Sequence, residues 1–206
     1  MIASLLAVLV LAQSSSRDAA APPVVHSAVI NASITGVWAA LTTREGIESW
    51  MVPHADIDLR VGGKMRTTYN KDAVLGDDST IENTILSYDP ERMLSIRATK
   101  APKGFPFLKA LEAMWTVIYL EPADAGRTKV TVRSLGFTQD PESVEMRKFF
   151  EAGNKLTLDK LVERFAARKA LRPGSATFGG WGAPSLGAHS VAEDAGASRF
   201  RGRGEA

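Results

Sequence analysis

The stretch that decides the fold is Ile34-Thr-Gly-Val-Trp-Ala-Ala-Leu-Thr-Thr-Arg-Glu-Gly-Ile-Glu-Ser-Trp50, and it is followed by Asp58-Leu-Arg-Val-Gly-Gly-Lys64. Val37, Trp38 and Leu41 recur at helical spacing and give the first half of this stretch an apolar face. The second stretch ends a strand on two glycines, which favour a tight turn. The order of helix, helical turn, strand and turn is typical of an α+β domain.

Local signals set the limits of these first elements. Ser33 stands directly before the apolar helical pattern and is a suitable N-cap. Thr43 can cap the next helical turn, and Pro53 must end it because proline cannot continue a helix. Before the first helix, residues 24–30 are rich in β-branched side chains and predict a strand.

Beyond residue 54 the apolar period shifts from that of a helix toward two, which predicts a run of strands. The predicted strands are residues 55–60, 64–69, 80–88, 93–99, 114–121 and 128–135. Short turns separate most of them, so neighbours should pair antiparallel. A long amphipathic helix is predicted over residues 141–169, with Asp140 as its cap and Pro141 in its first turn.

This order of elements resembles the START-like (SRPBCC) superfamily, and within it the branch of heat-shock-chaperone ATPase activator homologues. The opening stretch is similar to that branch's pattern of V-W-x-A-L-T, a later Trp and R-x-G-G. Residues 82–94 and 115–122 resemble its later strands, so the likeness covers most of residues 24–165. The resemblance implies a helix-grip fold: a curved antiparallel β-sheet wrapped around a long C-terminal α-helix, with two short helices after the first strand. It also implies a ligand cavity between sheet and helix.

Composition separates a signal-like leader, residues 1–21, and a disordered tail, residues 172–206, from the central residues 22–171. The resemblance implies that these central residues are the START-like domain. The leader contains an eleven-residue apolar run, Ile2 to Ala12. A stable membrane span needs about 17–25 residues, so this run fits a secretory signal better. The expected location is secreted or periplasmic, or cytoplasmic if the leader is not a signal. The glycine- and proline-rich tail lacks an apolar period.

Several chemistries lack their usual sequence signals. The net charge of +2 and the scattered basic residues argue against a nucleic-acid partner. Cysteine is absent, and none of the three histidines shares a metal-ligand spacing with another. No nucleophile elbow, phosphate loop or dinucleotide fingerprint is present. We therefore predict no catalytic set, no metal site and no cofactor.

Aromatic and small side chains are the candidates for lining a cavity. The insert at residues 100–108 carries two phenylalanines and is either a lid or a plug that completes the core. A glycine inside the long helix either leaves room for a ligand or lets a strand pack closely. A Trp and a Tyr alternate on one strand face, which lines the cavity if it faces inward and otherwise contributes to the core and the surface. The predicted ligand-binding residues are Phe105, Phe107, Trp115, Tyr119, Phe149, Phe150, Gly153 and Leu156.

Three functions remain open from the sequence. The first is non-catalytic binding of a small apolar or amphipathic molecule between sheet and long helix. The second, also implied by the resemblance, is an enzyme of the hydrolase, cyclase or dehydratase type in the same cavity. It needs an inward polar group such as Glu82 or Tyr119. The third, implied by the resemblance, is a co-chaperone-like protein-interaction module. The sequence does not predict the oligomeric state.

Overall fold

The computed structural model describes residues 19–166. The predicted leader lies almost wholly outside these residues, as do the predicted tail and the last three residues of the predicted long helix. What the sequence predicts for these three segments therefore stays a prediction. Within residues 19–166, no helix is both long enough and apolar enough to cross a membrane.

Seven strands and four α-helices make up the described domain. The strands are β1 (Val24–Ile30), β2 (His54–Ile57), β3 (Lys64–Thr68), β4 (Ile81–Asp89), β5 (Met93–Lys100), β6 (Trp115–Pro122) and β7 (Thr128–Leu135). The helices are α1 (Ile34–Thr42), α2 (Arg44–Glu48), α3 (Leu108–Ala113) and α4 (Pro141–Ala166). A single 3₁₀ turn at Asp124–Gly126 joins β6 to β7.

The strands form one open antiparallel sheet in the order β1-β7-β6-β5-β4-β3-β2. Strands β2 to β7 are therefore a six-stranded meander, and β1 joins it along β7. With α1 and α2 after the first strand and α4 at the end, this is the predicted α+β helix-grip fold. The sequence prediction of the fold is confirmed.

The predicted helix caps are present. The Gly36 amide donates to Ser33 Oγ at 3.2 Å, and the Gly46 amide donates to Thr43 Oγ1 at 3.0 Å. At the start of α4, the Glu142 amide donates to Asp140 Oδ1 at 3.0 Å. Each contact satisfies a backbone donor that has no partner inside the helix.

The core lies between the inner face of the sheet and α4. Alternate residues of each strand face inward, so Ile118 and Leu120 of β6 belong to the same apolar cluster as Leu158, Leu161 and nearby residues of α1. Nearer the N-terminus of α4, Met146 packs in a second cluster with Phe137 and Met114. The long helix therefore closes one face of the sheet over most of its length.

One element was not predicted. Helix α3 lies between β5 and β6, where the sequence indicated only an insert and the next strand. Its N-cap position is Phe107, which supplies no side-chain hydrogen bond to the helix. Because the helix has six residues and no capping side chain, it carries neither of the usual sequence signals.

Candidate functional site

A cavity of about 470 Å³ lies between the inner face of the sheet and α4. This volume is within the range of about 300–1,000 Å³ that is usual for small-molecule sites. Its walls are mainly apolar and come from β3, β4, β5, β6 and β7 on one side and from α4 on the other. The apolar lining includes Leu41, Trp50, Met51, Met65, Ile81, Leu94, Ile96, Met114, Ile118, Val130, Val132, Leu158 and Leu161.

The cavity reaches solvent near the N-terminal half of α4. Phe149 of α4 and Tyr69 at the end of β3 both line the cavity, and their exposed fractions are 52% and 60%. Large side chains that line a cavity and are also exposed lie at its mouth. A ligand would therefore enter between α4 and the loop that follows β3.

The insert after β5 forms one wall of this mouth. Phe105 lines the cavity, and its ring packs edge-on against Phe107 at 5.6 Å and against Phe149 at 5.7 Å between ring centroids. The Lys103 amide donates to the Asp78 carbonyl at 2.7 Å, which ties the insert to the loop before β4. The insert thus packs on the core, as a plug would, and it also borders the cavity. Its role as a lid stays a prediction.

Gly153 lines the cavity from α4. A methyl group at this position would have no heavy atom within 4 Å beyond its own helix, so no strand packs closely against it. Of the two interpretations of this glycine, the structure supports the open space. The absence of a side chain here enlarges the cavity.

Four of the eight predicted ligand-binding residues line the cavity: Phe105, Phe149, Phe150 and Gly153. Phe107 supports Phe105 and Phe149 from outside the lining. Leu156 points away and is 59% exposed, because it lies on the solvent side of α4. A ligand-binding role for the residues that line the cavity stays a prediction.

Trp115 and Tyr119 lie outside the cavity. The inward residues of β6 are Thr116 and Ile118, so the side chains on either side of them face the other side of the sheet. Placing Trp115 and Tyr119 in the cavity was wrong because both faces of β6 carry large side chains, and alternation alone does not tell which face is inside.

Neutral polar groups interrupt the apolar walls where α4 meets β6 and β7. Asn154 Nδ2 donates to Ser134 Oγ at 2.9 Å, and Ser134 Oγ lies 3.3 Å from Thr116 Oγ1. Asn154 and Thr116 both line the cavity, whereas Ser134 is fully buried beneath them. These groups were missed from the sequence because they come from three different elements. They can hydrogen-bond a polar group of a ligand.

Two of the residues that line the cavity are titratable: Tyr69 and Lys100. No carboxylate or imidazole side chain of residues 19–166 lines it. In the same part of the chain, no group of three or more His, Asp and Glu side chains is arranged to hold a metal ion. The cavity is therefore suited to holding a ligand by apolar contact, with few groups for proton transfer.

Glu82 lies on the outer face of the sheet. Its Oε1 is 2.9 Å from Lys64 Nζ, and its Oε2 is 3.1 Å from Arg66 Nε. The hydrogen bond from Lys64, followed by that from Arg66, holds the pKa of Glu82 below its ordinary value of 4.5. A carboxyl group that is ionised at neutral pH and directed away from the cavity does not suit the acid–base role considered for it.

We expect Glu82 to stabilise the fold only above acidic pH. Its pKa is lower in the folded chain, so its contribution is complete above the unfolded pKa of about 4.5 and is lost as pH falls through the folded pKa. The free energy of unfolding of the Glu82→Gln variant should therefore fall below that of the natural chain at neutral pH, by no more than about 1 kcal/mol for a partly exposed pair. Urea titrations at neutral and acidic pH measure this difference in the free energy of unfolding. A difference of equal size below the folded pKa would contradict a stabilising role of the ionised Glu82 carboxylate.

Residues 31–166 match the family described as Activator of Hsp90 ATPase homolog 1-like protein. The chain belongs to this family. The match spans α1 to α4 and so includes every element that borders the cavity. Membership supports a ligand-binding or co-chaperone-like module and does not name a ligand or a partner. No curated protein matches the chain.

Solved structures show the same fold. A crystal structure of a protein from Mesorhizobium loti is similar at 20% identity and a TM-score of 0.56, covering 70% of this chain and 97% of that one. A solution structure from Cytophaga hutchinsonii has 20% identity and a TM-score of 0.56, covering 74% and 99%. The solution structure of the Aha1 dimer from Colwellia psychrerythraea has 16% identity and a TM-score of 0.53, covering 69% and 95%. At these identities the likeness concerns the fold alone.

Proposed function

We propose that this family member binds a small apolar or amphipathic molecule in the cavity between the sheet and α4. The observation that carries the proposal is the cavity itself, at about 470 Å³ with largely apolar walls. Removing apolar ligand surface from water is favourable by about 25 cal/mol per Å². A ligand that fills this space gains affinity without any charged contact.

The position of Gly153 supports the same proposal. Glycine inside a helix destabilises it by about 0.5–1 kcal/mol relative to alanine. Here the missing side chain relieves no close contact, because a methyl group would fit without meeting a neighbour. Space left open at a cost in helix stability is what a ligand site requires, whereas a purely structural core would be filled.

A neutral fluorescent probe tests the proposal. N-phenyl-1-naphthylamine is apolar, carries no charge and becomes fluorescent when it leaves water. Titrated into the full chain, it should show saturable binding at one site per chain and be displaced by decanol. The same chain unfolded in urea is the control and should show no saturable signal. A linear, non-saturable increase with the folded chain would contradict the proposal.

The two other functions differ in what now supports them. Glu82 and Tyr119 do not support the enzyme alternative, since both lie on the opposite face of the sheet from the cavity. A protein-interaction role keeps the support of the family description, which refers to an activator of the Hsp90 ATPase. Binding of the probe separates the first proposal from this role, because a surface interaction does not depend on an open cavity.

A further inference from the structure

Lys100 is the one charged residue among those of residues 19–166 that line the cavity. It ends β5, and it faces inward because Ile96, Ala98 and Lys100 share one face of the strand. The side chain is partly buried. A single cation in a largely apolar lining is a specific feature, because a partly buried ammonium group needs polar partners.

The ammonium group of Lys100 hydrogen-bonds to backbone carbonyl oxygens and not to a carboxylate. Lys100 Nζ donates to the carbonyl oxygens of Gly76 at 3.0 Å and Asp77 at 2.6 Å. The Asp77 carboxylate instead accepts from the Ser79 amide at 2.8 Å and the Ser79 hydroxyl at 2.7 Å. The two carbonyls fix the position of the ammonium but do not neutralise it.

The neighbouring carboxylate on the next strand is also committed elsewhere. Glu82 is the Cα partner of Lys100 in the β4–β5 pairing, yet its carboxylate binds Lys64 and Arg66 on the outer face. Within residues 19–166, Lys100 takes part in no ion pair. An ammonium group has three N–H donors, and carbonyl bonds account for two of them.

The other polar groups of the cavity lie at different distances from Lys100. Asn83, the Cα partner of Ala98, lines the cavity close to it, whereas a second set lies further along the sheet. Ile96 pairs with Thr116, which is close to Ser134 and Asn154. Lys100 is four residues further along β5, which is about 13 Å at the usual rise of about 3.3 Å per residue. The cavity thus presents a cation near its mouth and largely apolar walls, with neutral hydrogen-bonding groups both beside the cation and at a distance from it.

We propose that the ligand class of this cavity is an amphipathic carboxylic acid whose carboxylate pairs with Lys100 and whose apolar body lies between the sheet and α4. This inference rests on the proposed function and names the chemistry of its ligand. A single free donor on one lysine matches a monoanion. An amine of the same shape would place like charges together, and an alcohol would leave the lysine without a counter-ion.

Matched ligands test this ligand class on the full chain. Decanoate and decanol have the same apolar chain and differ in the charge of the head group, and each is titrated as a competitor of bound N-phenyl-1-naphthylamine. We expect decanoate to bind about tenfold or more tightly than decanol, because a hydrogen bond between charged groups is stronger than one to a neutral hydroxyl. Replacing Lys100 with methionine should abolish this preference by weakening the binding of decanoate about tenfold or more, whereas the affinity for decanol should change much less.

Two further variants serve as controls for the position and the charge of the lysine. Lys103 belongs to the same insert but lies outside the cavity lining and pairs with Asp78 at 3.3 Å. Lys103→Met should therefore change the affinity for neither decanoate nor decanol. Lys100→Arg retains the charge and should retain the preference for decanoate. Circular dichroism verifies that each variant is folded, and retained decanol binding shows that its cavity is still open.

The outcomes separate the two proposals. Equal affinities for decanoate and decanol in the natural chain would overturn the carboxylic-acid proposal while leaving the binding function in place. An equal loss of decanoate affinity in Lys100→Met and Lys103→Met would overturn it too, because the effect would not be specific to the cavity. A failure of the neutral probe itself to bind would remove the proposed function together with this inference.

Discussion

Replacing Leu161 with alanine is expected to lower the free energy of unfolding by about 2–5 kcal/mol, the usual range for a buried leucine. Leu161 is 1% exposed and joins α4 to the cluster that contains Ile30, Val37 and Val130. The substitution removes methyl and methylene groups from contacts between the helix and the sheet. Urea unfolding followed by circular dichroism measures the effect.

Leu156 provides a matched control on the same helix. It is 59% exposed, so Leu156→Ala should change the free energy of unfolding by no more than about 0.5 kcal/mol. The two variants share the same chemical change and differ in the face of α4 that they affect. Equal stability of the two variants would show that α4 does not close the sheet as described.

Gly136→Ala is expected to be comparably destabilising, by about 2–6 kcal/mol. The backbone of Gly136 has a φ of +87°, where a side chain adds about 1–3 kcal/mol of strain. A Cβ at this position would also collide with the carbonyl oxygen of Ala113 at the end of α3. Because that neighbour is backbone, relief requires the junction of β7 and α3 to separate, which adds about 1–3 kcal/mol.

Gly126→Ala separates the two causes. Gly126 has a φ of +70°, but a Cβ there would meet no atom within 4 Å. The alanine variant at this position should therefore show the backbone strain alone and be the more stable of the two. Thermal unfolding of both variants gives the comparison. If Gly126→Ala were as destabilised as Gly136→Ala, close packing at α3 would not be the cause.

The fold was predictable because its signals are local. Ser33, Thr43 and Asp140 each cap the helix that they precede, and short turns between strands require antiparallel neighbours. The apolar period changes from helix to strand and back along the chain, which determines the order of elements. Helix α3 carries no such signal, and it was the element missed.

The site was only partly predictable because its residues are brought together by packing. The aromatic residues of the insert and of α4 were found from their size and spacing. Trp115 and Tyr119 were placed wrongly, since β6 has large side chains on both faces and period two does not reveal the inner one. Lys100 and Asn154 were missed as site residues because their importance depends on which elements surround them.

The most direct test of a ligand site between sheet and α4 is the affinity of N-phenyl-1-naphthylamine for Gly153→Leu compared with Ala152→Leu. The leucine at position 153 enters the cavity, whereas Ala152 is exposed on the same helix. We expect Gly153→Leu to bind the probe about tenfold or more weakly, given the effect of single groups in apolar pockets, while Ala152→Leu binds it like the natural chain. Circular dichroism verifies that both variants are folded. Equal, undiminished affinity in the two variants would contradict the placement of the site in this cavity.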